Sequence, residues 1–228
     1  MKKIVIKISG KFFDEAESKD YELLREIVQK LLENGIKVAI VTGGGNVARK
    51  YIKLGRELGI NESLLDLLGI YSTRLNAYLL TYYLYELTPK KVPETLEEFL
   101  VLWSLGKVVI AGGFQPGQST NAVSALIAES ISADLLINLT NVEGVYDKDP
   151  KKYTDAKLLE YVYYDELERI LEENQSYLAG AYELLDPLSI KILKRSKIKA
   201  LIVNYQNISK LIDIIDGRIK LGSIVLPR

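Results

Sequence analysis

Short apolar runs alternate along the chain with longer stretches in which apolar residues recur every three or four positions. Short runs are typical of buried β-strands, and the longer pattern is typical of helices that bury one face. The predicted strands are residues 4–8, 36–41, 107–111, 135–139, 200–203 and 223–226, with a short extended piece near Leu158. The predicted helices are residues 21–33, 46–58, 64–87, 95–104, 121–131 and 208–215, a helix capped by Asp165 that ends near Asn174, and a helix capped by Asp186.

This alternation predicts an α/β fold. Helices that connect successive strands cover both faces of a mostly parallel sheet, which gives a three-layer αβα sandwich. The chain contains no long linker, repeat or low-complexity tract. Residues 1–228 are therefore predicted to form a single domain.

The predicted helix over residues 64–87 is apolar on nearly all sides. Such a helix lies either at the centre of a core or against a partner chain. Tyrosines dominate its second half, and Tyr is enriched at subunit contacts, so we predict a subunit interface, with a core helix as the alternative. Its polar exceptions are Asp66, Arg74 and Asn76.

Four predicted strands end in polar or glycine-rich loops, at residues 9–11, 42–45, 112–120 and 140–149. The carboxyl ends of parallel strands meet at one edge of a sheet, where ligands gather in open α/β folds. Glycine lets the backbone approach a ligand, and the helix N-terminus behind residues 43–45 adds unpaired N–H donors. The pattern therefore predicts two neighbouring anionic ligands, such as phosphate groups, at this edge.

Three basic residues are candidates to meet these anions. Lys7 lies inside an apolar run next to a turn, where a charged side chain needs a partner or a ligand, although an edge-strand lysine that points to water is the alternative. Arg49 follows the glycines by one helical turn and suits bidentate phosphate binding, or it is an exposed helix residue. Lys191 lies one turn into the helix capped by Asp186, and a solvated helix lysine is its ordinary interpretation.

Composition excludes several classes of function. Lys and Arg number 30 and so do Asp and Glu, so the net charge is zero and gives no indication of a nucleic-acid or membrane partner. Cysteine and histidine are absent, which excludes disulfides, a thiol nucleophile, an imidazole base and the commonest metal ligands. The chain has no signal-peptide pattern and no apolar run of transmembrane length, so we expect a cytoplasmic protein. It also lacks the G-x-x-x-x-G-K-[ST] signature and a G-x-G-x-x-G after a strand, which argues against a P-loop protein and a dinucleotide dehydrogenase.

Five segments carry a resemblance to a known family. They are residues 7–11 (KISGK), 41–45 (VTGGG), 112–120 (GGFQPGQST), 140–150 (TNVEGVYDKDP) and 185–191 (LDPLSIK). In this order they resemble the amino acid kinase family, and in particular its archaeal uridylate kinase branch, from Lys3 to about Val225. Segment 140–150 is specific for the uridylate kinase branch, and loop 112–120 separates the archaeal form from the bacterial one.

The resemblance implies roles for individual residues. It implies two catalytic lysines, Lys7 and Lys191. It implies ATP contacts at Ser9, Gly10, Lys11, Gly45, Arg49, Thr140, Asn141, Tyr146 and Asp149, with the UMP phosphate as the alternative partner of Arg49. It implies UMP contacts at Gly44, Asp66, Phe114, Gln115, Pro116, Gly117, Gln118, Ser119 and Thr120. Relatives often carry an aspartate that orients the lysines where this chain has Asn141, which leaves the catalytic role of Asn141 open.

The implied activity is transfer of a phosphoryl group from ATP to UMP, a step of pyrimidine nucleotide biosynthesis. UMP would bind mainly to the N-terminal part and ATP mainly to the part from about residue 135, with Mg²⁺ held mainly by the phosphates. The resemblance also implies a homo-oligomer, a hexamer built from dimers. Two alternatives stay open: another phosphotransferase of the family, acting on isopentenyl phosphate or N-acetylglutamate, and a non-catalytic protein that binds nucleotides or oxyanions. Isopentenyl phosphate kinases use a histidine beside the glycine loop, and this chain has none.

Overall fold

A seven-stranded sheet organises the protein, whose computed structural model describes residues 2–148, 150, 152–174 and 184–228. The strands are β1 Lys3–Ile8, β2 Lys37–Thr42, β3 Val109–Ala111, β4 Leu135–Thr140, β5 Tyr161–Tyr163, β6 Lys199–Asn204 and β7 Ser223–Leu226. Their order in the sheet is β3-β2-β1-β4-β6-β7-β5.

Most strands of this sheet are parallel. β1 pairs in parallel with β2 and β4, β2 with β3, and β4 with β6. β7 is antiparallel to β6 and parallel to β5. The predicted mostly parallel sheet is thus confirmed. β1, β2, β3, β4 and β6 end at the same edge, which we call the carboxyl edge.

Helices cover both faces of the sheet. They are α1 Gly10–Glu15, α2 Ser18–Glu33, α3 Gly45–Glu57, α4 Glu62–Tyr83, α5 Leu96–Ser104, α6 Thr120–Ser130, α7 Tyr164–Asn174, α8 Pro187–Arg195 and α9 Leu211–Ile215, with a 3-10 segment over Tyr205–Lys210. Side chains alternate along β1, so Val5 packs on one face with Val123 of α6 and Ile190 of α8. Ile6 packs on the other face with Leu24 of α2. The predicted three-layer αβα sandwich is therefore confirmed.

Several elements differ from their predicted bounds. α1 was not predicted, because residues 9–11 resembled a plain turn. The short extended piece predicted near Leu158 is an isolated bridge at Leu158, and β5 follows it at Tyr161. α4 ends at Tyr83. The predicted helix extended to residue 87 because the apolar pattern continues past Tyr83, through the buried Leu84. α7 already begins at Tyr164, so the predicted cap at Asp165 is wrong. Residues 208–215 are not one helix, since the 3-10 segment runs to Lys210 before α9 begins.

α4 buries one side and exposes the other. Its buried residues include Leu65, Ala77 and Leu80. Its exposed apolar residues are Leu64, Tyr71, Leu75, Leu79 and Tyr82, and the adjoining α3 exposes Val47, Tyr51 and Leu54. A helix buried on all sides is therefore excluded, and the subunit interface stays a prediction. Within the described ranges, every helix is too short or too polar to cross a bilayer.

Candidate active site

Lys7 lies on β1 close to the carboxyl edge. Its side chain is 4% exposed and β1 has a strand on each side, so the alternative of an edge-strand lysine that points to water is wrong. In register, Lys7 stands beside Val41 of β2 and Asn138 of β4. It shares the face of the sheet with Val5, toward the layer of α6 and α8. A buried ammonium one residue before the end of its strand is well placed to meet an anion at the edge.

The loops after β1 and β2 pack directly against each other through glycine. A Cβ on Gly10 would lie 2.1 Å from the backbone nitrogen of Gly45, and a Cβ on Gly43 would lie 2.4 Å from the nitrogen of Gly10. Gly45 has a φ of +66°, and its Cβ would lie 2.5 Å from Oδ1 of Asp14. Glycine is therefore required at these positions by packing within the protein, in addition to the predicted approach of a ligand.

Arg49 of α3 forms an ion pair with Asp14 of α1. Its Nη2 lies 2.9 Å from Oδ2 of Asp14, and the other carboxylate oxygen accepts the backbone N–H of Asn46 at 2.6 Å. The Asp14 side chain is 8% exposed, whereas the Arg49 side chain is 50% exposed. Arg49, the predicted phosphate contact, thus lies at the carboxyl edge, but one of its guanidinium nitrogens already pairs with the Asp14 carboxylate.

Polar residues of α4 hold the glycine loop after β2. The Ser72 hydroxyl donates to the carbonyl of Gly44 at 2.8 Å, and the Asn76 amide nitrogen donates to the carbonyl of Gly43 at 2.8 Å. These bonds satisfy loop carbonyls that have no partner in the sheet. Asn76 is therefore a polar residue in an otherwise apolar helix because its side chain holds this loop.

Arg74 of α4 fixes the loop after β3. Its side chain is 13% exposed and pairs with Glu94 at 2.7 Å. Its Nε donates to the carbonyl of Gly113 at 3.1 Å, and its Nη2 donates to the carbonyl of Phe114 at 3.2 Å. One guanidinium thus holds two successive carbonyls at the start of the loop predicted to bind UMP.

Asp66 and the loop over residues 114–120 lie together, as their shared predicted role requires. The backbone N–H of Gly117 donates to Oδ2 of Asp66 at 2.8 Å. Gln115, Pro116 and Gly117 are exposed at the loop tip, Phe114 and Gln118 are half-buried, and Thr120 begins α6. The acid in the apolar helix α4 therefore contacts the predicted UMP loop.

The caps of α6 and α8 are joined. Ser119 caps α6 by accepting the N–H of Ala122 at 3.0 Å, and its hydroxyl donates to the carboxylate of Asp186. Asp186 caps α8 by accepting the N–H of Ser189 at 2.9 Å, as predicted. Lys191 lies on the exposed side of α8 and makes no hydrogen bond or ion pair with any described residue. The structure therefore ties the predicted UMP loop to α8 but does not join Lys191 to Lys7.

The loop after β4 carries the remaining predicted ATP contacts. Thr140 is fully buried at the end of β4, and its hydroxyl lies 3.4 Å from Oδ1 of the exposed Asn141. Ser9 joins this group, because its N–H donates to the carbonyl of Leu139 at 2.8 Å. Tyr146 is held farther along by a bridge to Leu158. Asp149 lies outside the described residues.

Two anchors of this loop were not singled out in the sequence. The amide nitrogen of Asn204, at the end of β6, donates to the Glu143 carboxylate at 2.7 Å. The Ser223 hydroxyl accepts the N–H of Val145 at 2.8 Å. Both partners lie far away in the chain, so no local pattern indicated them. Asp14 was missed for a related reason, because the helix that carries it was not predicted.

The donor groups at the carboxyl edge suit phosphate better than a protein-bound metal. Among the residues described, no three carboxylates converge to form a metal cage. The edge instead gathers the side chains of Lys7, Lys11 and Arg49 and the N-termini of α3 and α6, and groups of these kinds are suited to anions. A magnesium ion that accompanies a nucleotide would therefore be held mainly by phosphate oxygens, as is usual for Mg²⁺.

Several known proteins are similar to this chain in sequence and in fold. The model of the amino acid kinase family matches residues 2–204. A uridylate kinase of Sulfurisphaera tokodaii is 57% identical, and one of Sulfolobus acidocaldarius is 55% identical, each over 99% of both chains. A solved uridylate kinase from Archaeoglobus fulgidus superimposes with a TM-score of 0.84 at 36% identity, covering 99% of this chain and all of that one. The chain therefore belongs to the amino acid kinase family.

Proposed function

We propose that this protein is a UMP kinase, which transfers the γ-phosphoryl group of ATP to UMP and yields UDP and ADP. The observation that carries the proposal is its identity of 55–57% to two uridylate kinases along nearly the whole chain. The carboxyl edge, with a buried lysine between glycine-rich loops, supports a reaction between two phosphorylated ligands.

The attacking group in this reaction is a phosphate oxygen of UMP. A phosphate monoester has a second pKa of about 6, so near neutral pH it is mostly dianionic and needs no general base. The absence of histidine is therefore no obstacle to the chemistry. The main barrier is electrostatic, because two polyanions must meet in line. Lys7 is proposed to stabilise the phosphoryl group during transfer from its buried position on β1.

UMP is proposed to bind on the side of β3. Its ribose would meet Asp66, its base and phosphate would lie along the loop over residues 114–120, and Gly44 would contact it from the glycine loop. The bonds of Asp66 and Arg74 to this loop support the proposal, because a loop fixed before binding loses less entropy when the nucleotide arrives.

ATP is proposed to bind on the side of β4. Its phosphates would meet Ser9, Gly10, Lys11, Gly45 and Arg49, with the UMP phosphate as the alternative partner of Arg49. The rest of the nucleotide would contact Thr140, Asn141, Tyr146 and Asp149. The close packing of Gly10 on Gly45, and of Ser9 on Leu139, supports a shared site for these loops. Lys191 is proposed as a second catalytic lysine that acts once ligands bind, since it has no partner among the described residues.

The protein is further proposed to assemble as a homo-oligomer, a hexamer built from dimers, through the exposed apolar side of α4. The exposure of Tyr71, Leu75 and Tyr82 supports this, because large exposed apolar patches mark interaction surfaces.

A coupled assay of ADP release tests the proposed activity. Purified protein is given ATP, Mg²⁺ and, separately, UMP, dUMP, CMP, AMP or isopentenyl phosphate. We expect turnover to be highest with UMP. Preference for another acceptor would favour a different phosphotransferase, and nucleotide binding without ADP release would favour a non-catalytic binding protein.

A further inference from the structure

The structure assigns a role to Asp14, a residue with no local sequence signal: we propose that Asp14 is a positioning residue that aims Arg49 at a nucleotide phosphate. The inference rests on the proposed function, because it takes Arg49 to be a phosphate contact. It deepens that function by naming what holds Arg49 in place.

The guanidinium of Arg49 is held along one edge only. Nη2 donates to Asp14 at 2.9 Å and to Oδ1 of Asn46 at 2.9 Å, and Nε donates to the same Asn46 oxygen at 3.3 Å. Within the described part of the chain, Nη1 donates no hydrogen bond. A planar guanidinium fixed by its Nε and Nη2 groups presents its remaining N–H groups in a defined direction. This is the geometry expected of an arginine prepared for an anion.

Asp14 itself is firmly placed. Its side chain is 8% exposed, and its Oδ1 accepts the Asn46 N–H at the start of α3. Gly45 leaves room for that oxygen, because a Cβ there would lie 2.5 Å from it. Carboxylates are stabilised at helix N-termini, so this contact favours the observed position of Asp14.

The helix that carries Asp14 is anchored on its other side. The Tyr205 hydroxyl donates to the carboxylate of Glu15, the next residue of α1. Burial, together with the nearby Glu15 carboxylate, raises the pKa of Tyr205, so the hydroxyl keeps its proton and remains a donor. Phe12 of α1 packs edge-on against the Tyr205 ring, with centroids 5.8 Å apart. Asp14 thus connects the loop after β1, through a fixed helix, to Arg49 behind the loop after β2.

The energetics favour an effect on binding over an effect on stability. The Arg49 side chain is 50% exposed, and ion pairs of exposed arginines contribute little to folding. A long side chain fixed before the ligand arrives loses less rotamer freedom on binding. The Asp14 carboxylate also repels a phosphate. The direction in which the nucleotide KM changes when Asp14 is replaced therefore tests the proposal.

Asp14→Asn separates the two contacts of Asp14. The amide oxygen of Asn still accepts the Asn46 N–H, but the charge that holds Arg49 is lost. We expect the KM of the nucleotide that Arg49→Ala affects to rise about tenfold in Asp14→Asn, with kcat nearly unchanged. We expect the double variant Asp14→Asn/Arg49→Ala to match Arg49→Ala alone, since a residue that acts through Arg49 has no effect without it.

Two further variants complete the test. Asn46→Ala removes the other acceptor from the same edge at an exposed position, and it should raise the same KM by a smaller factor. If Asp14→Asn does not fold, Asp14→Ser with its Arg49→Ala double variant decides the question, because a hydroxyl also accepts the Asn46 N–H without the charge. Glu129→Gln is the matched control, because Glu129 pairs with Arg195 at the far end of α6, and its KM values should equal those of the unmodified protein.

Several outcomes would overturn the proposal. An unchanged or lowered KM in Asp14→Asn would show that Asp14 does not prepare Arg49 or that it competes with the phosphate. Additive effects in the double variant would show that Asp14 acts independently of Arg49. If the unmodified protein phosphorylates no nucleoside monophosphate, the proposed function and the inference are both overturned. If it turns over UMP normally but the KM of Asp14→Asn does not rise, or the effects in the double variant are additive, only the inference is overturned.

Discussion

The backbone N–H of Gly117 donates to the carboxylate of Asp66 at 2.8 Å, although the two residues are 51 positions apart in the chain. The bond ties the tip of the loop after β3 to the first half of α4. The same helix thus presents an apolar face outward and holds the proposed acceptor loop on its other side.

Asp66→Ala tests the proposed contact with the UMP ribose. Loss of a hydrogen bond to a charged group, together with loss of the loop anchor, should raise the KM for UMP about tenfold or more and leave the KM for ATP nearly unchanged. Asp66→Asn should raise it less, because the amide oxygen still accepts from Gly117. Steady-state kinetics with each nucleotide varied in turn measure both values. Glu62→Gln, on the same helix and paired with Arg56, is the control, and equal effects of Glu62→Gln and Asp66→Ala would contradict the assignment.

Lys7→Met tests the proposed catalytic lysine. Methionine is unbranched and of similar length, so the buried position stays filled while the charge is removed. We expect kcat at saturating UMP and ATP to fall by about 10²-fold or more, because a preorganised charge at the reacting group is lost. Lys3→Met is the matched control, since Lys3 lies on the same strand and face but at its opposite end, with its ammonium on the carbonyl of Ile131. A nearly normal kcat in Lys7→Met would refute the role.

Leu75→Glu tests the proposed interface on α4. Leu75 is 62% exposed in the single chain, and a charge introduced there would be buried without a partner in an assembled interface. We expect sedimentation velocity to reveal a smaller species than the unmodified protein forms. Leu105→Glu is the control, because Leu105 is also 62% exposed but follows α5. An unchanged sedimentation coefficient for Leu75→Glu would place the interface elsewhere.

Glu129→Gln tests a pH-dependent contribution to stability away from the site. The hydrogen bond from Arg195 holds the pKa of Glu129 below its ordinary value of 4.5. A carboxyl with a lowered folded-state pKa stabilises the protein above its unfolded-state pKa, and this stabilisation is lost as the pH falls through the folded-state value. At neutral pH the variant should melt roughly 2 °C lower. Thermal unfolding followed at decreasing pH should show this difference shrink below pH 4.5, whereas a constant difference would contradict the linkage.

Local sequence patterns predicted the parts of the fold that depend on neighbouring residues. Apolar runs located most strands, and capping residues such as Asp186 located helix starts, because both signals act over a few residues. The glycine loops and Lys7 were found in the same way, since a strand followed by a turn places them at one edge. The patterns failed at α1, whose Ser9 cap follows the strand directly and resembles a turn, and at several helix ends, such as the end of α4, where apolar residues continue beyond the helix.

The sequence by itself determined that this is an αβα protein with a mostly parallel sheet, and it predicted that the glycine-rich loops at one edge bind phosphate. Only the tertiary structure decided which residues hold those loops. Asp14 reaches Arg49 across 35 positions and Ser119 reaches Asp186 across 67, so neither pair leaves a periodic or local trace. The physical reason is that these contacts exist only after the helices have packed on the sheet. The periodicity of apolar residues shows which face of an element is buried, but it does not show which other element covers that face.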